Sequence, residues 1–155
     1  MKHILPVATV LLALLAARLP AGEHTHEHKA PHSGTLIELG EEYAHVELVL
    51  DPKTGKVTAY VLDHEAEKAV KIKQKEIELN LEVAKEKHTL TLKALANVLT
   101  GEKEGDTSEF GGQADYLKDV KNFTASIKEI KVKGKEFKKV EFKFPEGNEG
   151  DKHKH

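Results

Sequence analysis

Cysteine and tryptophan are absent from the 155 residues, methionine occurs once, and aromatics make up 5%. Without thiols there is no disulfide scaffold, no Cys-ligated zinc or iron–sulfur centre, no thiol nucleophile and no lipoprotein anchor. A surplus of one charge is also missing, since 24 Lys and Arg face 26 Asp and Glu. That balance argues against a protein that coats nucleic acid. No Gly-rich phosphate loop, GxSxG elbow or HExxH pair occurs. Ser33, Ser108 and Ser126 stand in no nucleophile pattern. Glu76, Glu78 and Glu82 read as the wet face of a strand rather than as paired catalytic acids. The expectation is a non-enzymatic protein without an organic cofactor. Its 39% apolar content is enough for one modest core.

Long apolar runs are confined to residues 4–17, interrupted only by Thr9 and preceded by Met1-Lys2-His3. This run is shorter than the roughly 20 residues of a membrane span. With small Ala21 at its polar border, it reads as a secretory signal peptide over residues 1–21, with Leu19 at −3. Cleavage there leaves 134 residues in the periplasm or outside the cell, with no membrane attachment.

Residues 22–33, GEHTHEHKAPHS, lack apolar periodicity and are expected to form a flexible tail. Strand patterns follow. Residues 35–39 form a short β run, and residues 43–50 alternate with Ala44, Val46, Leu48 and Leu50 on one side. The turn Asp51-Pro52-Lys53-Thr54-Gly55 leads into a return strand over residues 56–62. Further strands are predicted over residues 69–72, 76–83 and 88–95, and a loop over 100–112. A two-turn helix over 113–121 should place Tyr116, Leu117 and Val120 inward. A final hairpin spans residues 123–132 and 137–144, with a bulge between Ile127 and Ile130 where the alternation slips. Its lysines (Lys131, Lys133, Lys135, Lys138, Lys139, Lys143) read as a solvated, edge-protecting face. Residues 146–155 are a polar tail. The pattern predicts an all-β domain over residues 34–145, an antiparallel Ig-like or Greek-key β-sandwich of seven to eight short strands with at most one short helix. A barrel is the alternative. One alternating face supplies the expected core: Val46, Leu48, Leu50, Val57, Ala59, Val61, Leu79, Leu81, Leu90 and Leu92.

Histidine is the unusual residue, with ten in the chain. His24, His26, His28 and His32 cluster in the first tail, and His153 and His155 lie in the second. Imidazole is a common ligand of Zn, Cu and Ni. Alternate residues of an extended chain point the same way, so His24, His26 and His28 can converge on one ion. His45 and Glu47 share one strand face and are a second candidate. His64 and His88 read as surface residues. Cleavage after Ala21 would expose Gly22 as a free amine with His24 at the third position. Amine, two amides and one imidazole nitrogen would then form a planar site suited to Cu(II) or Ni(II).

The runs Pro31-His32-Ser33-Gly34-Thr35-Leu36-Ile37-Glu38-Leu39-Gly40, Tyr43-Ala44-His45-Val46-Glu47-Leu48-Val49 with Asp51, and residues 54–63, TGKVTAYVLD, carry a resemblance. They are similar to small secreted bacterial His-rich β-domain proteins of unassigned function, and to stretches near the periplasmic adaptors of heavy-metal efflux systems. The resemblance covers roughly residues 31–83, the Ser108-Glu109-Phe110 loop and the closing hairpin. It implies a periplasmic β-domain associated with metal handling, with His32, His45 and Glu47 as the residues to watch. Ser33 replaces the commoner Gly of that pattern, and Ala44 stands where a second His is often found. The adaptor's long coiled-coil hairpin is absent. Two functions follow as expectations. One is a metal-binding or metal-buffering protein for Cu, Zn or Ni, its ligands drawn from Gly22, His24, His26, His28, His32, His45, Glu47, His153 and His155. The other is a domain that binds a cell-envelope protein or efflux component and has no metal role.

Overall fold

The computed structural model describes residues 28–148, so the expected signal peptide, residues 22–27 and residues 149–155 lie outside the described part. The strands are β1 (Thr35–Leu39), β2 (Ala44–Asp51), β3 (Lys56–Leu62), β4 (Glu76–Val83), β5 (Glu86–Ala94), β6 (Glu109–Gln113), β7 (Phe123–Val132) and β8 (Lys135–Phe144). All pair antiparallel in one sheet of order β1-β2-β3-β6-β5-β4-β7-β8. The all-β antiparallel class therefore holds. The sheet is continuous and coils until its edges, β1 and β8, approach each other, which is closer to the barrel than to two separate layers.

Alternation explains most of this. Nine of the ten expected core residues are buried, and Leu50 is partly buried against them. Strand β6 takes up the end of the expected loop, where Gly111 and Gly112 show no alternation. The close approach of β5 is what needs them there: a Cβ on Gly112 would lie 2.9 Å from both Leu92 Cδ2 and the Thr91 carbonyl. Residues 69–72 make only isolated bridges, Leu62 with Ala69 and Ile72 with Thr107. The expected helix over 113–121 is a single 3₁₀ turn, Asp115–Leu117. Gln113 is still paired to Lys56 in the sheet, and Asp119 has φ 59°, so the chain has no room for a second turn. The alternation does slip in the last hairpin, but the expected bulge is absent, since neither strand gains a residue and both slip together. Register is unchanged from Ile127↔Val140 to Ile130↔Phe137, while Lys139 takes φ 51° and Lys128, Glu129, Lys138 and Lys139 all face solvent.

Ser108 has a structural partner. The buried Glu102 carboxylate accepts hydrogen bonds from the Ser108 amide (3.1 Å), the Ser108 hydroxyl and the Thr100 hydroxyl (3.0 Å). Burial alone would raise its pKa. The Ser108 and Thr100 bonds outweigh this and hold it below its ordinary value.

Leu79 is 1% exposed, and Leu79→Ala should cost about 2–5 kcal/mol in urea unfolding. A change within about 0.5 kcal/mol would place the strand phase in error. Because the folded-state pKa of Glu102 is depressed, its contribution is present above the ordinary value of 4.5 and is lost as pH falls through the folded-state value. Stability measured from pH 7 to pH 3 should therefore fall less steeply in Glu102→Gln than in the wild type.

Candidate functional site

β2 is buried on both faces. Ala44, Val46 and Leu48 point into the core, whereas His45 and Glu47 point to the outer face and are both 0% exposed. The cover is the chain itself. Residues 28–34, most of which were expected to be free tail, lie across the outer face of β2 and β3.

Glu47 anchors this strap. Its Oε1 accepts the backbone N–H groups of His32 (2.8 Å) and Gly34 (2.8 Å), and its Oε2 accepts His32 Nδ1–H (2.7 Å). The His32 ring stacks on Tyr60, with centroids 3.8 Å apart. Tyr60 stands opposite Glu47 in the β2–β3 register. Burial pushes the Tyr60 phenol up in pKa, and the carboxylates of Glu109 and Glu47 add to the effect. The strap turns sharply at Ser33, which has φ 58°. This left-handed conformation is one that favours glycine. At Gly34 a Cβ would sit 2.7 Å from the Leu48 carbonyl and 2.8 Å from Val49 Cγ2, so a side chain there would lift the strap off the sheet.

His45 is held from the other side. Its Nδ1 lies 3.0 Å from the Asp63 carbonyl oxygen, which can only accept, so Nδ1 carries the proton and Nε2 is the unprotonated nitrogen. Asp63 is itself fixed, its Oδ1 accepting the amides of Glu67 (3.0 Å) and Lys68 (3.1 Å). Burial raises the Asp63 pKa, but these amide bonds prevail and lower it. The His28 ring packs on His45 with centroids 4.7 Å apart and planes at 55°. His28 Nε2 is buried and has no hydrogen-bond partner.

Four of the sequence-predicted residues, His28, His32, His45 and Glu47, thus meet on one face. The other five, Gly22, His24, His26, His153 and His155, lie outside the described residues. Among the described residues, no three of His, Asp or Glu are placed to hold one ion. Glu47 has both oxygens engaged by the strap, so it holds His32 in place rather than offering itself as a ligand. Ala44 is a core residue and does not join this face. Tyr60, Gly34 and Asp63 escaped sequence reasoning as parts of the site, although all three fall within the runs that carry the resemblance. His64 is exposed beside Glu65, and His88 stacks on Tyr116 at 3.9 Å, away from the strap. A concavity of about 1450 Å³ is lined by residues of β4, β5, β7 and β8 together with Glu38 and Asn148. No described helix is long and apolar enough to cross a membrane. No family model, curated protein or solved structure matches the chain.

If Glu47 seats the strap, Glu47→Gln sets an amide N–H₂ against donors that need an acceptor. The variant should lose about 1–3 kcal/mol of stability in urea unfolding. An unchanged midpoint would mean that the strap adds nothing to the fold.

Proposed function

We propose that this is a non-enzymatic metal-binding protein of the bacterial cell envelope, which takes Zn(II), Cu(II) or Ni(II) on imidazoles of the strap face and its flanking segments. The observation that carries this reading is the His28–His45 pair. Two imidazoles pack together, and one has a buried nitrogen without a hydrogen-bond partner. The other is locked by a backbone carbonyl in the tautomer whose Nε2 can bind a metal. His32 has the same preparation: Glu47 takes its Nδ1–H, so Nε2 carries no proton, on a side chain that is 43% exposed. Metal-ligating histidines commonly donate their second N–H to a carboxylate or carbonyl in this way. A protein built only for solubility has no use for imidazoles oriented in this way. Periplasmic or secreted localisation rests on the signal-like residues 1–21, and the link to metal handling is strengthened by the resemblance to efflux-associated sequences. The competing reading, a partner-binding domain, draws on Val98 and Leu99, an apolar pair almost fully exposed on the loop before β6.

Zn(II), Cu(II) and Ni(II) titrated calorimetrically into the purified protein should bind at neutral pH. His28→Ala, with its fold checked by circular dichroism, should lose at least about tenfold in affinity. Imidazole has an ordinary pKa of about 6.5 and must be neutral to ligate, so affinity should fall steeply below about pH 6. Binding equally tight at pH 5 would assign the metal to carboxylates. No binding of any of the three metals would leave the partner-binding reading.

A further inference from the structure

Val98 and Leu99 are the large apolar side chains that stand fully in solvent among the described residues, at 96% and 97% exposed. A single exposed aliphatic is ordinary on a protein surface. Two in succession at the tip of an ordered loop are not. The loop is framed from within. Asn97 and Glu102 exchange backbone hydrogen bonds (3.0 and 2.9 Å), which close a tip of residues 98–101. Asn97 Oδ1 accepts the Leu99 N–H (3.0 Å). The Thr100 carbonyl accepts Lys71 Nζ (3.0 Å), and the Thr100 hydroxyl donates to Glu102 Oε2 (3.0 Å). Glu102 is buried, with its other oxygen taken by Ser108. A Cβ on Gly101 would meet nothing within 4 Å, so the tip stands clear of the rest of the chain. A buried carboxylate thus holds two aliphatic side chains outward, ordered before anything binds them.

Area and charge say what such a tip fits. Two aliphatic side chains offer on the order of 200 Å² of apolar surface. A stable protein interface takes roughly 800 Å² from each partner, and this patch is far smaller. A bilayer asks for neither area nor a matching pocket, because acyl chains close around any small convex knob. The charges near the tip favour an anionic surface. Lys71, Lys73 and Lys103 are exposed on the loop and on the segment beside it, which is joined to the loop through the Ile72–Thr107 bridge. Of the neighbouring acids, Glu102 is turned inward and Glu104 is held by Lys75 (3.0 Å), which leaves Asp106. Lysine stems can lie along the lipid boundary while their amines stay at the headgroups.

We infer that the Val98–Leu99 tip docks reversibly on a bilayer surface that carries anionic lipid, the two aliphatic side chains entering the interface with Lys71, Lys73 and Lys103 at the headgroups. The contact is peripheral and needs no anchor. It is independent of the metal-binding reading, since none of its residues belongs to the strap face.

The apolar residues 4–17 would enter lipid by themselves, so the readout must sit on the tip. The absence of cysteine allows this, because Leu99→Cys then carries the sole label. A polarity-sensitive dye at that position should brighten and shift to the blue on phosphatidylcholine vesicles containing about 30% phosphatidylglycerol, and less on phosphatidylcholine alone. The same dye on Thr54→Cys, in the exposed β2–β3 turn, should stay as it is in water. Val98→Asp, added to the labelled protein, should weaken insertion at least about tenfold, since an aliphatic contact is lost and a charge must enter the interface. Its urea midpoint should not move, because residue 98 touches nothing in the fold that burial records. Lys73→Glu with Lys103→Glu should erase the preference for the anionic vesicles. A dye at residue 99 that stays as wet as one at residue 54 on both vesicles would overturn the proposal and assign the tip to a protein partner. Insertion unchanged by Val98→Asp would overturn it equally.

Discussion

A carboxylate with no exposed surface must be met by donors, and Glu47 is met by three, all supplied by the segment of chain just before β1. Most of the outer face depends on that arrangement. It turns what composition describes as tail into a strap, places the His32 ring on Tyr60, and shuts His45 away from solvent. Leaving such a carboxylate without its donors would cost far more than one hydrogen bond contributes, so strap and β2 are secured together. A solvated Glu on the same strand would impose no such order.

The closure of the sheet follows a similar economy. An eight-stranded coiled sheet has two edges, and unpaired edge amides invite association with other chains. Here the turn after β8 covers β1, with the Asn148 side chain standing in for a strand at Glu38. At the opposite edge, β8 carries lysines. Lys135 lies over the Tyr43 ring at 4.8 Å, and Lys138 pairs with Glu136 and Glu129. One edge is thus sealed by a side chain and the other guarded by charge. The sealed edge adjoins the histidine face, which is why both termini of the described chain gather there.

Preparation of the imidazoles is the chemical result. His32 and His45 each have Nδ1 engaged by an acceptor, one a carboxylate and the other a main-chain oxygen. These are two versions of the same device, fixing ring orientation and tautomer before any ligand arrives. Orientation of this kind would lower the entropy cost of the proposed metal binding, since the side chains are already ordered by the fold.

Residue pattern alone determined the all-β class, the inward phase of β2, β3, β4 and β5, the slip of alternation between Ile127 and Ile130, and the prominence of histidine. Each is a local property, because alternation reports which side of a strand meets the core regardless of what that strand pairs with. Pairing order, the Gly-rich β6 and the single continuous sheet were not legible, since they depend on contacts between residues far apart in the chain. The site was half legible. Sequence spacing put His45 and Glu47 on one strand face, but alternation says only that this face is not the core, and a polar face is ordinarily wet. Tertiary structure alone decided that it is buried, because burial there comes from residues 28–34 folding back over β2, and from the Asp63 carbonyl eighteen residues away in sequence from His45. A cover laid down by another part of the chain leaves no periodic mark on the strand it covers.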